Sequence, residues 1–167
     1  MNKMKTKEKL QHTRNLGFGN KDTAELTREI NRLIASYHVH YQKLRNFHWN
    51  VVGSDFFDLH EKFEELYNFS KENIDDLAER VRVFGEKPMA RLDEYLKVSK
   101  ITEPKDGLSP RQMVDEILTD FEILLTQMIT VLDLANECGD VSTINLLNKT
   151  VNKTEKYYWM FNVWMDQ

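Results

Sequence analysis

The stretch HWNVVGSDFFDLHEKFEELYNFSKENIDDLAERVRVFGEKP, residues 48–88, decides how this chain folds. From around Ser54, the positions Leu59, Phe63, Leu66, Ser70, Ile74, Leu77, Val81 and Phe84 recur every three or four residues. That is the period of a long helix with one buried face. Gly85 and Pro88 stop it, one by favouring a left-handed turn and the other by lacking an amide proton. The segment also holds His48, His60, Glu64, Asp75 and Glu79. With His60 as zero on a wheel of ~100° per residue, Glu64 falls near ~40°, Asp75 near ~60° and Glu79 near ~100°. The apolar stripe centres near about −80°, so the polar arc faces roughly 130° away from the core.

One chain cannot close these residues around an ion. His60 and Asp75 are separated by about 22 Å along a helix rising ~1.5 Å per residue, whereas metal–ligand bonds span only ~2.0–2.2 Å. A second copy of the same helix, packed antiparallel about a two-fold axis near Ser70, removes the conflict. It sets His60 and Glu64 of one copy opposite Asp75 and Glu79 of the other, and makes two equivalent sites. His48, just before the turn, is placed to join His60. Imidazole and carboxylate ligands together suit iron, zinc or manganese, and oxidation chemistry would single out iron. Taken alone, Asp75 and Glu79 would read as solvated surface acids. Two histidines and three carboxylates converging under one symmetry operation favour the site.

Working outward, a first helix opens at Asp22 with Glu25 as capping-box partner. It carries Leu26, Ile30, Leu33, Ile34, Tyr37, Tyr41 and Leu44 inward and ends between Asn50 and Gly53. Residues 89–97 read as a short helix, followed by a loop to Leu108. Ser109 as cap, Pro110 at the first helical position and Gln112 reaching back start a third long helix that ends at Cys138 and Gly139. A fourth spans 141–165. The fold class is all-α: a four-helix bundle of ferritin-like topology over 23–167, with a short helix in the long connection between helices two and three. Residues 1–22 form a separate arm.

Other motifs fail on inspection. The residues three before His38, His40, His48 and His60 are Ala35, Tyr37, Arg45 and Phe57, so the Glu-x-x-His pairs of an intrabundle di-iron centre are missing. HEKFE at 60–64 lacks the second histidine of a zinc-protease helix. GFGNKD at 17–22 lacks the third glycine of a dinucleotide loop and has no strand before it. His38 and His40 lie on different helix faces and read as structural or surface residues. Cys138, beside a helix-ending glycine, reads as a buried structural thiol.

Charge is unevenly distributed. Residues 1–22 carry +4 against −4 for the whole chain, leaving −8 on the rest. An acidic body suits cation handling and a basic arm suits anions, although N-terminal lysines also serve simply to solubilise a tail. With six glycines and three prolines there is little material for a many-stranded β fold. No apolar run approaches the ~20 residues of a membrane span, the N-terminus lacks a signal-peptide core, and the lone cysteine favours a reducing compartment. A cytoplasmic helical protein is expected.

With these residues in place, the chain resembles the Dps family, the bacterial starvation-type mini-ferritins. The resemblance rests on H-W-N at 48–50, L-H-x-x-F-E at 59–64 and D-x-x-A-E-R at 75–80, and covers most of the chain. It implies a hollow homododecamer with ferroxidase sites at its two-fold interfaces, each handling two irons. It also implies Fe(II) oxidation, preferably by hydrogen peroxide, and storage of the ferric mineral. Position by position, His48, His60, Glu64, Asp75 and Glu79 match the family's metal ligands, and Glu64 stands where relatives often carry aspartate. Trp49 matches a tryptophan beside the site that can quench reactive oxidant as well as pack an interface. Asp133 and Asp140 fall where relatives place acidic pores, and Arg80 is expected to pair with nearby acids. Many members bind DNA without sequence preference, which here points to Lys3, Lys5, Lys7 and Lys9. The expected function is an iron-storing, iron-detoxifying ferroxidase. The alternatives are a nucleoid-protecting DNA-binding protein with iron oxidation secondary, and a helical scaffold without chemistry.

Overall fold

The computed structural model describes residues 17–18 and 23–166. Lys3, Lys5, Lys7 and Lys9, and the Asp22 cap, lie outside the described residues. Within them the chain forms five helices and no strand: α1 (Ala24–Asn50), α2 (Phe56–Val83), the short α3 (Leu92–Val98), α4 (Pro110–Cys138) and α5 (Val141–Met165). α1 and α2 form one hairpin and α4 and α5 the other, with α3 packed on α1 in the long connection. None of these helices is long and apolar enough to cross a membrane.

The ends follow local chemistry. At α4 the Ser109 hydroxyl accepts from the Gln112 amide while the Gln112 side chain accepts from the Ser109 amide. Gly139, at φ 70°, ends the helix in the left-handed region that favours glycine. α1 starts differently from expectation: Thr23 stands at the cap with no side-chain capping bond. α2 begins at Phe56, after a turn in which the Phe56 amide bonds Gly53 O at 3.3 Å. α3 starts at Leu92, later than the sequence pattern suggests, because Met89 is held outside the helix. Its amide donates to Asn31 Oδ1 at 2.7 Å and its carbonyl accepts from Tyr95 Oη at 3.0 Å.

Two apolar clusters fill the bundle. One gathers Leu26, Ile30, Leu33 and Tyr37 with Leu77, Val81, Phe84, Leu124, Met128 and Val131; the other gathers Leu44 and Phe47 with Phe63, Leu66, Ile117, Phe121, Tyr157 and Phe161. A buried polar level lies where they meet. His40 Nδ1 and Lys43 Nζ each lie 2.8 Å from a different oxygen of Asp120, and Lys43 Nζ also donates to Glu116 at 2.9 Å. Beside them the Thr150 hydroxyl donates to Asn73 Oδ1 at 2.8 Å. Asn73 therefore takes the buried place that periodicity gave to Ile74, which is only half-buried. Burying an ion costs several kcal/mol unless its partners are in place, and here each charged group has one.

Candidate metal centre

The turn between α1 and α2 brings His48 and His60 face to face, with ring centroids 3.8 Å apart. His48 Nδ1 lies 2.8 Å from the His60 carbonyl oxygen, and His60 Nδ1 lies 2.8 Å from the His48 carbonyl oxygen. A carbonyl only accepts, so both Nδ1 atoms carry a proton, and in the neutral imidazole the lone pair is then on Nε2. This reciprocal lock fixes the tautomer a metal ligand needs, through backbone partners. His48 is buried and His60 half-buried, with Phe56 also stacked on the His60 ring at 5.0 Å.

Glu64 sits one turn beyond His60 on the exposed face, and its Oε1 accepts from the Tyr67 hydroxyl at 3.0 Å. Tyr67 also meets the His48 ring edge-on at 5.4 Å and Tyr41 edge-on at 6.1 Å. Burial first, and then Glu64, push the Tyr67 phenol above the ordinary tyrosine range, so it keeps its proton and remains a donor. Tyr67 was not singled out from sequence. Its position three residues after Glu64, on a shared helix face, was the signal available.

Asp75 and Glu79 are exposed on α2, beyond the reach of the histidines of their own chain. Among the described residues, no three His, Cys, Asp or Glu side chains come close enough to hold a metal ion. Ser70 marks the midpoint only by its level on the helix, since its hydroxyl is buried and donates to Leu66 O at 2.9 Å. Trp49 is 57% exposed, with the Arg45 guanidinium 4.7 Å from its ring centre.

The two acids expected at a pore are used differently. Asp133 is exposed. Asp140 is buried; its Oδ1 accepts from Arg80 Nη2 at 2.7 Å and from the Thr143 amide at 3.2 Å, capping α5. The pairing expected of Arg80 is thus present, with Asp140 as its acid. His38 stacks on Tyr95 at 3.9 Å, where burial holds its imidazole below the ordinary histidine range. His40 belongs to the buried polar level. Cys138 is half-buried against the first apolar cluster.

A family model described as a ferritin-like domain matches residues 27–167. DNA protection during starvation protein 2 of Bacillus anthracis is 40% identical over 83% of this chain and 94% of its own length. General stress protein 20U of Bacillus subtilis is 39% identical over 84% of this chain and 97% of its own. Among solved structures, Dps from Staphylococcus aureus superposes with a TM-score of 0.84 at 36% identity, covering 86% of this chain and 97% of that one. The Dps protein of Vibrio cholerae O1, described as a member of a superfamily of ferritin-like diiron-carboxylate proteins, gives 0.83 at 38% identity over 86% and 90%. The bundle and the match over residues 27–167 define a ferritin-like protein. Within that class, the chain belongs to the Dps family.

Proposed function

We propose that this protein oxidises Fe(II), preferentially with hydrogen peroxide, and stores the ferric product inside a hollow dodecameric shell. Iron is its substrate and cargo, taken up two ions per site. Each site lies at a two-fold interface: His48 and His60 come from one subunit, Asp75 and Glu79 from its mate. Glu64 serves the second, more weakly held iron. The observation that carries this reading is the reciprocal His48–His60 lock, which engages Nδ1 of both rings with backbone and leaves both Nε2 atoms for a ligand, with Glu64 one turn beyond His60 on the exposed face of the same helix. Imidazole nitrogen with carboxylate oxygen suits ferrous iron and holds the ferric product as well. The test is Fe(II) oxidation followed by absorbance, with peroxide and dioxygen supplied separately. Wild type should consume peroxide faster, at two irons per peroxide, and His60→Ala should lose the fast phase. Equal rates in wild type and His60→Ala would refute the site.

A second reading is favoured by the +4 of residues 1–22 and by relatives named for DNA protection. Lys3, Lys5, Lys7 and Lys9 would contact phosphate, and many arms on one shell would reinforce one another. The −8 of the remaining chain opposes this. Deleting residues 1–14 should abolish any DNA mobility shift, and a truncated shell with an unchanged salt slope would exclude the arm.

A further inference from the structure

We infer that Tyr67 is a redox-active side chain of the iron site, holding one oxidising equivalent when only one Fe(II) is bound. The inference rests on the proposed function and deepens it. Two contacts carry it. The Tyr67 hydroxyl donates to Glu64 Oε1 at 3.0 Å, and its ring edge meets the His48 imidazole at 5.4 Å. The phenol is therefore joined to one proposed ligand by a hydrogen bond and to another by ring contact. No contact of this kind links Trp49 to either residue among those described; its ring contact is with Arg45.

The chemistry follows from that hydrogen bond. One Fe(II) and one hydrogen peroxide give Fe(III), hydroxide and a hydroxyl radical. The radical takes an electron from the Tyr67 phenol and becomes hydroxide. The phenol O–H bond breaks, and its proton moves to Glu64 Oε1 and on to that hydroxide, forming water. Tyr67 is left as a neutral phenoxyl radical with Glu64 again a carboxylate. A second Fe(II) then supplies one electron and solvent one proton, restoring the phenol and giving a second Fe(III). The hydroxide released in the first step takes a second proton from solvent, so the sum is two Fe(II), one peroxide and two protons yielding two Fe(III) and two waters. This is the balance of a two-iron site, reached with the irons arriving one at a time. The same bond engages Glu64 Oε1 and leaves Oε2 for iron, so Glu64 binds through one oxygen.

A further contact extends the path. Tyr41 meets Tyr67 edge-on at 6.1 Å, and Arg45 lies over both Tyr41, at 5.4 Å, and Trp49, at 4.7 Å. Edge-on rings at such separations are in contact. Tyr67 is the member of this row that touches the proposed ligands, so it oxidises first and Trp49 last.

The test uses the full-length assembled protein loaded with Fe(II) below one ion per site, mixed with hydrogen peroxide and freeze-quenched for electron paramagnetic resonance. Wild type should give a tyrosyl signal that narrows when the tyrosine rings are deuterated and decays when more Fe(II) is added. Tyr67→Phe should lose it, measured per iron oxidised, while Trp49→Phe should retain it. A tyrosyl signal of equal amplitude in Tyr67→Phe, or no tyrosyl signal in wild type, overturns the inference. His60→Ala separates the two readings. If iron oxidation depends on His60 and the signal ignores Tyr67, only the inference fails. If oxidation is indifferent to His60, the proposed site itself fails.

Discussion

Arg80 Nη2 donates to Asp140 Oδ1 at 2.7 Å, and that bond ties the end of α2 carrying Glu79 to the cap of α5. Asp140 is almost wholly buried and the Arg80 side chain mostly so, at 1% and 15% exposure, so solvent screens the pair little. Removing one partner strands the other in a poorly solvated place, which costs ~3–5 kcal/mol for a buried pair. Asp140→Ala also loses the α5 cap, typically ~1 kcal/mol. Urea denaturation should show Asp140→Ala destabilised by about 3 kcal/mol or more, and Asp133→Ala, on the exposed surface, within about 0.5 kcal/mol of wild type. Equal small losses would mean that the Arg80–Asp140 bond is not a determinant of stability.

Tyr37 sets an alkaline limit. Burial holds its phenol well above the ordinary tyrosine range, and a hydrogen bond with Thr154 only partly opposes this. Unfolded tyrosine loses its proton near pH ~10. Above that pH the unfolded state therefore binds fewer protons than the native one, and stability falls as pH rises. The contribution is intact below the unfolded value and is lost progressively above it, by about 1.4 kcal/mol per pH unit for one proton. Tyr37→Phe should flatten the slope of stability against pH above ~10 by that amount, measured by urea midpoints across the alkaline range. An unchanged slope would place the alkaline sensitivity elsewhere.

The bundle was legible in the sequence because it rests on periodicity and on end signals that are local. Ser109, Pro110 and Gln112 bracket α4 as read, and the spans 110–138 and 141–165 match the observed helices. What was missed depends on partners from elsewhere in the chain. Asn73 is buried in place of Ile74 because Thr150 on α5 supplies its hydrogen bond, and α3 starts late because Asn31 on α1 captures the Met89 amide. At the site, the residue types on one face of α2 were readable. The mutual bonding of His48 and His60 through each other's carbonyls was not, because it is set by the fold of the 51–55 turn rather than by either histidine's neighbours.

Trp49 offers a second line of protection. Its indole is exposed and lies under Arg45 at 4.7 Å, at the far end of the aromatic row from Glu64. Replacing it by phenylalanine keeps a ring for packing but removes an easily oxidised group. Spin-trapping with Fe(II) added below site saturation should detect more escaping radical from Trp49→Phe than from wild type. Equal yields from intact shells would leave Trp49 a packing residue.

The central claim is that one iron site draws on two chains, because His60 and Asp75 are separated by about 22 Å on a single helix. Its most direct measurement uses two inactive variants, His60→Ala and Asp75→Ala, dissociated, mixed and reassembled. At an interface joining one of each, one end carries both lesions and the other end is intact. Ferroxidase activity should therefore reappear in mixed shells although neither parent has it. Absence of any recovery, in shells verified to contain both variants, would contradict a site shared between subunits.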